Sequence, residues 1–193
     1  MLKNYINFFY EFVSKPGVIG AVAPSSTQLA NRMVEWLDFE QINVVVEYGC
    51  GTGVFTSEIL KRIKPKTTFF ALEINENLVE QCHKNVPSAT VYNDSVVNIS
   101  KYLDKHKVNK VDAIISGLPW AAFSKELQDS LMQETLKVLV DGGKFATFAY
   151  VNGLVLPPAI RFRKKLRESF STIEHSPIVW YNLPPAFVYR CKK

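Results

Sequence analysis

Five short apolar runs, at 43–48, 67–73, 89–92, 111–116 and 144–150, read as buried β-strands. Between them, at about 26–37, 54–64, 75–85, 96–105 and 124–139, apolar residues return every three or four positions, the pattern of a helix with one buried face. Strands alternating with helices predict an α/β fold, a mostly parallel sheet covered by helices on both faces. After Pro157-Pro158 a basic helical stretch runs to Phe170. Two more strand-like runs follow, Thr172–Tyr181 and Ala186–Cys191, separated by Asn182-Leu183-Pro184-Pro185. This short link predicts an antiparallel hairpin at the sheet edge, bringing the sheet to seven strands.

The first fifteen residues have a different pattern. On a helical wheel Leu2, Tyr5, Ile6, Phe8, Phe9, Phe12 and Val13 share one face, and Lys3, Asn4, Asn7, Glu11, Ser14 and Lys15 share the other. Residues 1–15 therefore predict an amphipathic helix, which either packs on its own domain or lies in the surface of a bilayer.

The 193 residues suffice for one well-buried core and are few for two, so a single domain over 1–193 is expected. No apolar run reaches the roughly 18 residues of a membrane-spanning helix, and Asn4, Asn7 and Glu11 interrupt what would be a signal peptide. The expected location is the cytoplasm. A net charge of +5, together with the run Arg161, Arg163, Lys164, Lys165 and Arg167, suits an anionic surface, and membrane and RNA phosphates both qualify. Cys50, Cys82 and Cys191 are odd in number and widely spaced, which supports neither a disulfide framework nor a metal site.

The chemistry concentrates where the first strand ends, in Glu47-Tyr48-Gly49-Cys50-Gly51-Thr52-Gly53. A buried strand running into a glycine turn and a helix start exposes backbone N–H groups to a nucleotide-like ligand. A dinucleotide fingerprint would carry its third glycine at position 56, where this chain has Thr56. Glu47 adds negative charge beside the turn, which disfavours a pyrophosphate and suits a cation. Glu73 closes the next strand and is placed to accept from both ribose hydroxyls, and Asp94 follows the third strand, where a carboxylate can accept from an adenine amino group.

At Glu47, Gly49, Gly51, Gly53, Glu73 and Asp94 the chain resembles the class I S-adenosylmethionine (SAM)-dependent methyltransferases, over roughly residues 20–150. The resemblance implies their Rossmann-like fold and S-adenosyl-L-methionine as cofactor. Contacts to it are implied at Ser25, Ser26, Ile74, Ser95 and Ser116 as well as at those six residues.

The fourth strand ends in Ser116-Gly117-Leu118-Pro119-Trp120. Amino-directed methyltransferases carry a proline-aromatic loop at this place, whose carbonyls hold the acceptor amine. Adenine N6-methyltransferases begin that loop with Asn or Asp. Gly117 offers no such acceptor, which argues against a nucleobase, and the Trp120 ring could attract a methylated ammonium through a cation–π contact.

Together with Gly20–Ser26 and Pro184–Arg190, these segments look like the soluble bacterial phospholipid N-methyltransferases. That resemblance implies methylation of phosphatidylethanolamine or its partly methylated forms, on an anionic phospholipid membrane at the inner face of the cell membrane. It implies catalytic roles for Leu118 and Trp120. Tyr181 is a candidate to orient the amine and Arg190 to hold the lipid phosphate. An rRNA adenine dimethyltransferase and a non-catalytic SAM-binding membrane sensor stand as alternatives.

Overall fold

The computed structural model describes residues 26–193; the predicted helix over 1–15, Ser25 and the rest of Gly20–Ser25 lie outside the described residues. Seven strands form one sheet: β1 (Val44–Tyr48), β2 (Thr68–Glu73), β3 (Val91–Asn93), β4 (Val111–Ser116), β5 (Leu139–Tyr150), β6 (Thr172–His175) and β7 (Ala186–Lys192). Their order across the sheet is β3-β2-β1-β4-β5-β7-β6. The first five strands run parallel, whereas β7 is antiparallel to both β5 and β6.

Parallel strands need crossovers, and among the described residues six helices supply the cover: α1 (Thr27–Val34), α2 (Val54–Leu60), α3 (Glu76–Asn85), α4 (Ile99–Lys105), α5 (Lys125–Val138) and α6 (Pro157–Ser169). Their starts are set locally. Ser26 Oγ accepts from Leu29 N at the head of α1, Asn75 Oδ1 from Leu78 N at the head of α3, and Ser124 Oγ from Leu127 N at the head of α5.

Both sheet faces are buried, as the apolar runs require. Val44, Val46 and Tyr48 of β1 join Phe70, Ile114, Phe145, Phe162 and Leu166 in one core, on the α4, α5 and α6 side. Val45 joins Ile115, Leu29, Met33, Phe55 and Ile59 in the other, beneath α1 and α2. Glu47, two residues after Val45, points to that second face.

Two elements differ from the sequence reading. Strand β5 starts at Leu139 rather than 144, because Asp141-Gly142-Gly143 breaks the apolar run without ending the strand. The run predicted to continue to Tyr181 stops at His175. Pro177 has no N–H for a ladder, and the Ser176 hydroxyl accepts from Val188 N in place of a backbone carbonyl. Residues 176–185 are thus a loop, with the Val179–Ala186 bridge its one β-bridge among the described residues, and the hairpin turns the sheet from parallel to antiparallel at β7.

Candidate functional site

The carboxyl ends of β1, β2 and β4 lie side by side, since Glu47 pairs with Ala71 and Ile115, and Tyr48 with Leu72 and Ser116. Ligands of such sheets bind beyond these ends. The turn after β1 places Gly49, Gly51 and Gly53 at φ +71°, +54° and +91°. A side chain at Gly51 would meet no atom within 4 Å, so the backbone there borders open space.

Glu47 is fully buried. Its Oε2 accepts from Thr56 Oγ1 at 2.7 Å, and among the described residues its Oε1 has no partner. Burial pushes its carboxyl up to about 8, with the Thr56 hydroxyl opposing only in part. Burial thus favours the protonated form of this carboxyl in the free protein, against the standing negative charge expected from the sequence. A cation arriving at Oε1 would favour its ionisation.

Glu73 is also buried, and burial raises its pKa against the pull of backbone donors. Its Oε2 accepts from Gly51 N at 3.1 Å and its Oε1 from Asn75 N at 2.9 Å. Each oxygen keeps a second lone pair, so the carboxylate both fastens the glycine turn to β2 and can accept from a diol. An orphaned buried carboxyl oxygen, a glycine turn beside open space and a second carboxylate one strand away fit a cationic nucleoside cofactor. Ile74 is half-buried beside them.

Asp94 stands at the expected strand end, but its acceptors are already engaged. Oδ1 takes Ser95 N at 2.8 Å and Asn98 Nδ2 at 2.7 Å, while Oδ2 takes Tyr102 Oη at 2.8 Å and Lys101 Nζ at 3.2 Å. Burial would raise its pKa, yet these donors outweigh it and hold the carboxyl at about 2. An adenine amino group would have to displace one of them, and the exposed Lys101 is the least bound. Ser95 Oγ caps the short turn after β3, accepting from Val97 N.

The loop after β4 is held against the turn after β1. Gly117 N donates to Tyr48 O at 2.7 Å, and a Cβ on Gly117 would stand 2.5 Å from Gly49 O. The glycine is needed for this close approach. Ser116 Oγ accepts from Trp120 Nε1 at 2.9 Å. Leu118 O accepts from Trp120 N at 3.0 Å, which leaves the carbonyl one lone pair for a substrate.

Three catalytic expectations are corrected here. Trp120 is 1% exposed and stacks on Phe162 at 4.8 Å, with Phe123 and Phe145 meeting it edge to face. Its ring belongs to the core and does not stand open to an ammonium. The Arg190 guanidinium donates to Glu35 Oε1 at 2.7 Å and to Arg32 O at 3.0 Å, tying β7 to the end of α1 rather than waiting for a phosphate. Tyr181 is exposed in the 176–185 loop, on a groove against α1 lined by Gln28, Arg32 and Glu35, and is not among the described residues that line the cavity at Trp120. Ser26 caps α1 through its hydroxyl, and its N–H donates to Asn182 Oδ1 at 3.0 Å.

Next to the loop after β4 lies a cavity of about 430 Å³, unforeseen from the sequence. Pro119, Phe148, Leu154, Ala159, Phe162 and Tyr189 are among the residues that line it, and among the described residues no carboxylate or cation does. Its size and apolar walls suit the hydrocarbon part of a ligand. Thr56 was likewise missed as a partner of Glu47; the absent third glycine was its only signal.

A family model described as a methyltransferase domain matches residues 45–143. Ornithine lipid N-methyltransferase from Singulisphaera acidiphila is 29% identical over 196 residues, spanning 99% of this chain and 97% of that protein. Ribosomal RNA small subunit methyltransferase A from Hydrogenobaculum sp. is 29% identical over 111 residues, 56% of this chain and 40% of that protein. Among solved structures, magnesium protoporphyrin IX methyltransferase from Synechocystis PCC 6803 with bound SAM matches with a TM-score of 0.66, over 86% of this chain and 79% of that one, at 12% identity. At that identity the likeness is one of fold.

Proposed function

Because the chain belongs to the methyltransferase-domain family, we propose that it methylates the amine of a membrane lipid, phosphatidylethanolamine or its partly methylated forms, with SAM as methyl donor. The SAM-dependent methyltransferase activity is what family and fold share; the lipid acceptor is our reading. The observation that carries it is the apolar cavity of about 430 Å³ beside Leu118-Pro119-Trp120.

Bound at the strand ends, SAM supplies a methyl group on a sulfonium, ready for in-line displacement. The chain's own residues position and shield. Gly49, Gly51 and Gly53 allow backbone approach, Glu73 offers acceptors to the ribose, and Glu47 Oε1 offers a buried acceptor to a cation. On the acceptor side Gly117 and Leu118 contribute carbonyls. The cavity walls exclude water and lower the pKa of an amine from an ordinary value of about 10.4, freeing its lone pair for attack. Positioning of this kind can supply much of the acceleration.

The near full-length likeness to an ornithine lipid N-methyltransferase supports a lipid amine, and it favours ornithine lipid as a second acceptor to test. A nucleobase is disfavoured by Gly117, which has no side-chain acceptor. No helix among the described residues is long and apolar enough to cross a membrane, which is compatible with a peripheral enzyme at the inner face of the cell membrane. The test is incubation with methyl-labelled SAM and, separately, phosphatidylethanolamine, ornithine lipid and rRNA. Label in a lipid amine is expected; label in rRNA adenine alone would overturn the reading.

A further inference from the structure

Two apolar projections lie next in sequence to residues that line the cavity. Trp180, Tyr181 and Leu183 are 66%, 84% and 70% exposed on the 176–185 loop, while Val155 and Leu156, just ahead of α6, are 80% and 50% exposed. The two segments are fastened to each other, because Tyr150 pairs with Ala186 and Val151 N donates to Pro185 O at 2.9 Å. Leu156 and Pro184 both line the cavity, so each segment adjoins its wall, while Trp180 and Tyr181 border the neighbouring groove against α1.

Large apolar side chains exposed in such a cluster mark a contact surface. Its chemistry selects the partner. Trp and Tyr combine an apolar body with a polar edge, which suits the boundary between headgroups and acyl chains. Helix α6 starts beside this cluster and carries Arg161, Arg163, Lys164, Lys165 and Arg167. Lys165 pairs with Asp129 and Lys164 lies 3.7 Å from Glu168, whereas Arg163 and Arg167 have no carboxylate at ion-pair distance among the described residues. Apolar tips with cations behind them match an anionic bilayer, whose acyl region would take the first and whose phosphates the second.

We infer that Trp180 and Leu183 on one segment, and Val155 and Leu156 on the other, insert into the interfacial layer of an anionic bilayer and bring the adjoining cavity against it. The inference rests on the lipid reading of the site. It gives the bilayer a contact independent of the first fifteen residues, and it lets a lipid amine reach the loop after β4 with its hydrocarbon passing from the bilayer to the apolar cavity rather than through water.

The test uses the full chain, with vesicles of phosphatidylglycerol and phosphatidylcholine, the latter brominated on its acyl chains. Tryptophan fluorescence should be quenched on binding, and Trp180→Phe should remove most of that quenching while vesicle binding persists. Trp180→Ser with Leu183→Ser and Val155→Ser should weaken partitioning by at least about tenfold, with SAM affinity by calorimetry unchanged as the sign of an intact fold. Quenching that survives in Trp180→Phe, or undiminished partitioning of the triple variant, overturns the inference. So does a wild-type dimer that the triple substitution dissociates while vesicles are ignored, since the surface would then join two copies. Methylation of phosphatidylethanolamine in detergent micelles tests the lipid reading separately, because no bilayer is required there.

Discussion

The carbonyl oxygen of Gly49 lies 2.5 Å from the point where a side chain on Gly117 would begin. The glycine turn after β1 and the loop after β4 are thus in contact through bare backbone. Gly117→Ala should push them apart at a cost of about 1–3 kcal/mol of stability, and SAM binding should weaken with it. Thermal unfolding and calorimetry on one sample would check both; an alanine variant with normal stability and affinity would show that the contact is slack.

Removing Glu73 should cost more than a cofactor contact. Glu73→Ala leaves Gly51 N and Asn75 N without their acceptor as well as the ribose without its own. SAM affinity is expected to fall by roughly 1–3 kcal/mol, and the unfolding temperature to fall even without SAM. Unchanged affinity by calorimetry would remove Glu73 from the cofactor site.

Glu47 makes stability and binding depend on pH in opposite senses. Its folded pKa of about 8 exceeds the ordinary 4.5, so the folded state holds a proton that the unfolded chain has released. That contribution to stability is complete below about 4.5 and is lost as pH rises through about 8. A cationic cofactor favours the ionised form, so SAM binding should release a proton and tighten as pH rises towards 8. Glu47→Gln should flatten the stability profile and abolish the proton release, read by calorimetry in buffers of different ionisation enthalpy. Proton release that persists in the variant would place the titrating group elsewhere.

Trp120 should behave as a core residue. Trp120→Leu removes the stack on Phe162 and the bond to Ser116, and a loss of about 2–4 kcal/mol is expected. Trp120→Phe keeps a ring in the stack but leaves Ser116 Oγ without its indole donor, a loss nearer 0.5–1.5 kcal/mol. If Trp120→Leu were as stable as the wild type yet stalled at mono-methylated product, the ring would face the ammonium after all.

Glu47, the three glycines and Glu73 were legible because strand ends and turns are local, and a handful of adjacent residues sets them. The rest depends on contacts between distant segments. Arg190 meets Glu35 across 155 positions, and no periodicity in either segment announces it. The cavity is assembled from the loop after β4, the end of β5, the start of α6 and Pro184, so no single stretch carries its outline. Trp120 was misread for a related reason: a proline-aromatic pair specifies a loop, but only the packing of Phe162 and Phe145 decides whether the ring is covered. The strand predicted through Tyr181 failed at Pro177, whose missing N–H was visible but was outweighed by the β-branched and aromatic residues around it.

Strand β7 follows β6 in sequence yet lies between β5 and β6. During synthesis the open edge of β5 must therefore wait, unpaired, until residues 186–192 have left the ribosome, and β6 has no neighbour before then. A sheet that is whole only when its interior strand arrives last cannot be finished in stages, and a chain halted before residue 186 presents a long bare edge to any other strand nearby. Ribosome stalling between β6 and β7 therefore threatens solubility.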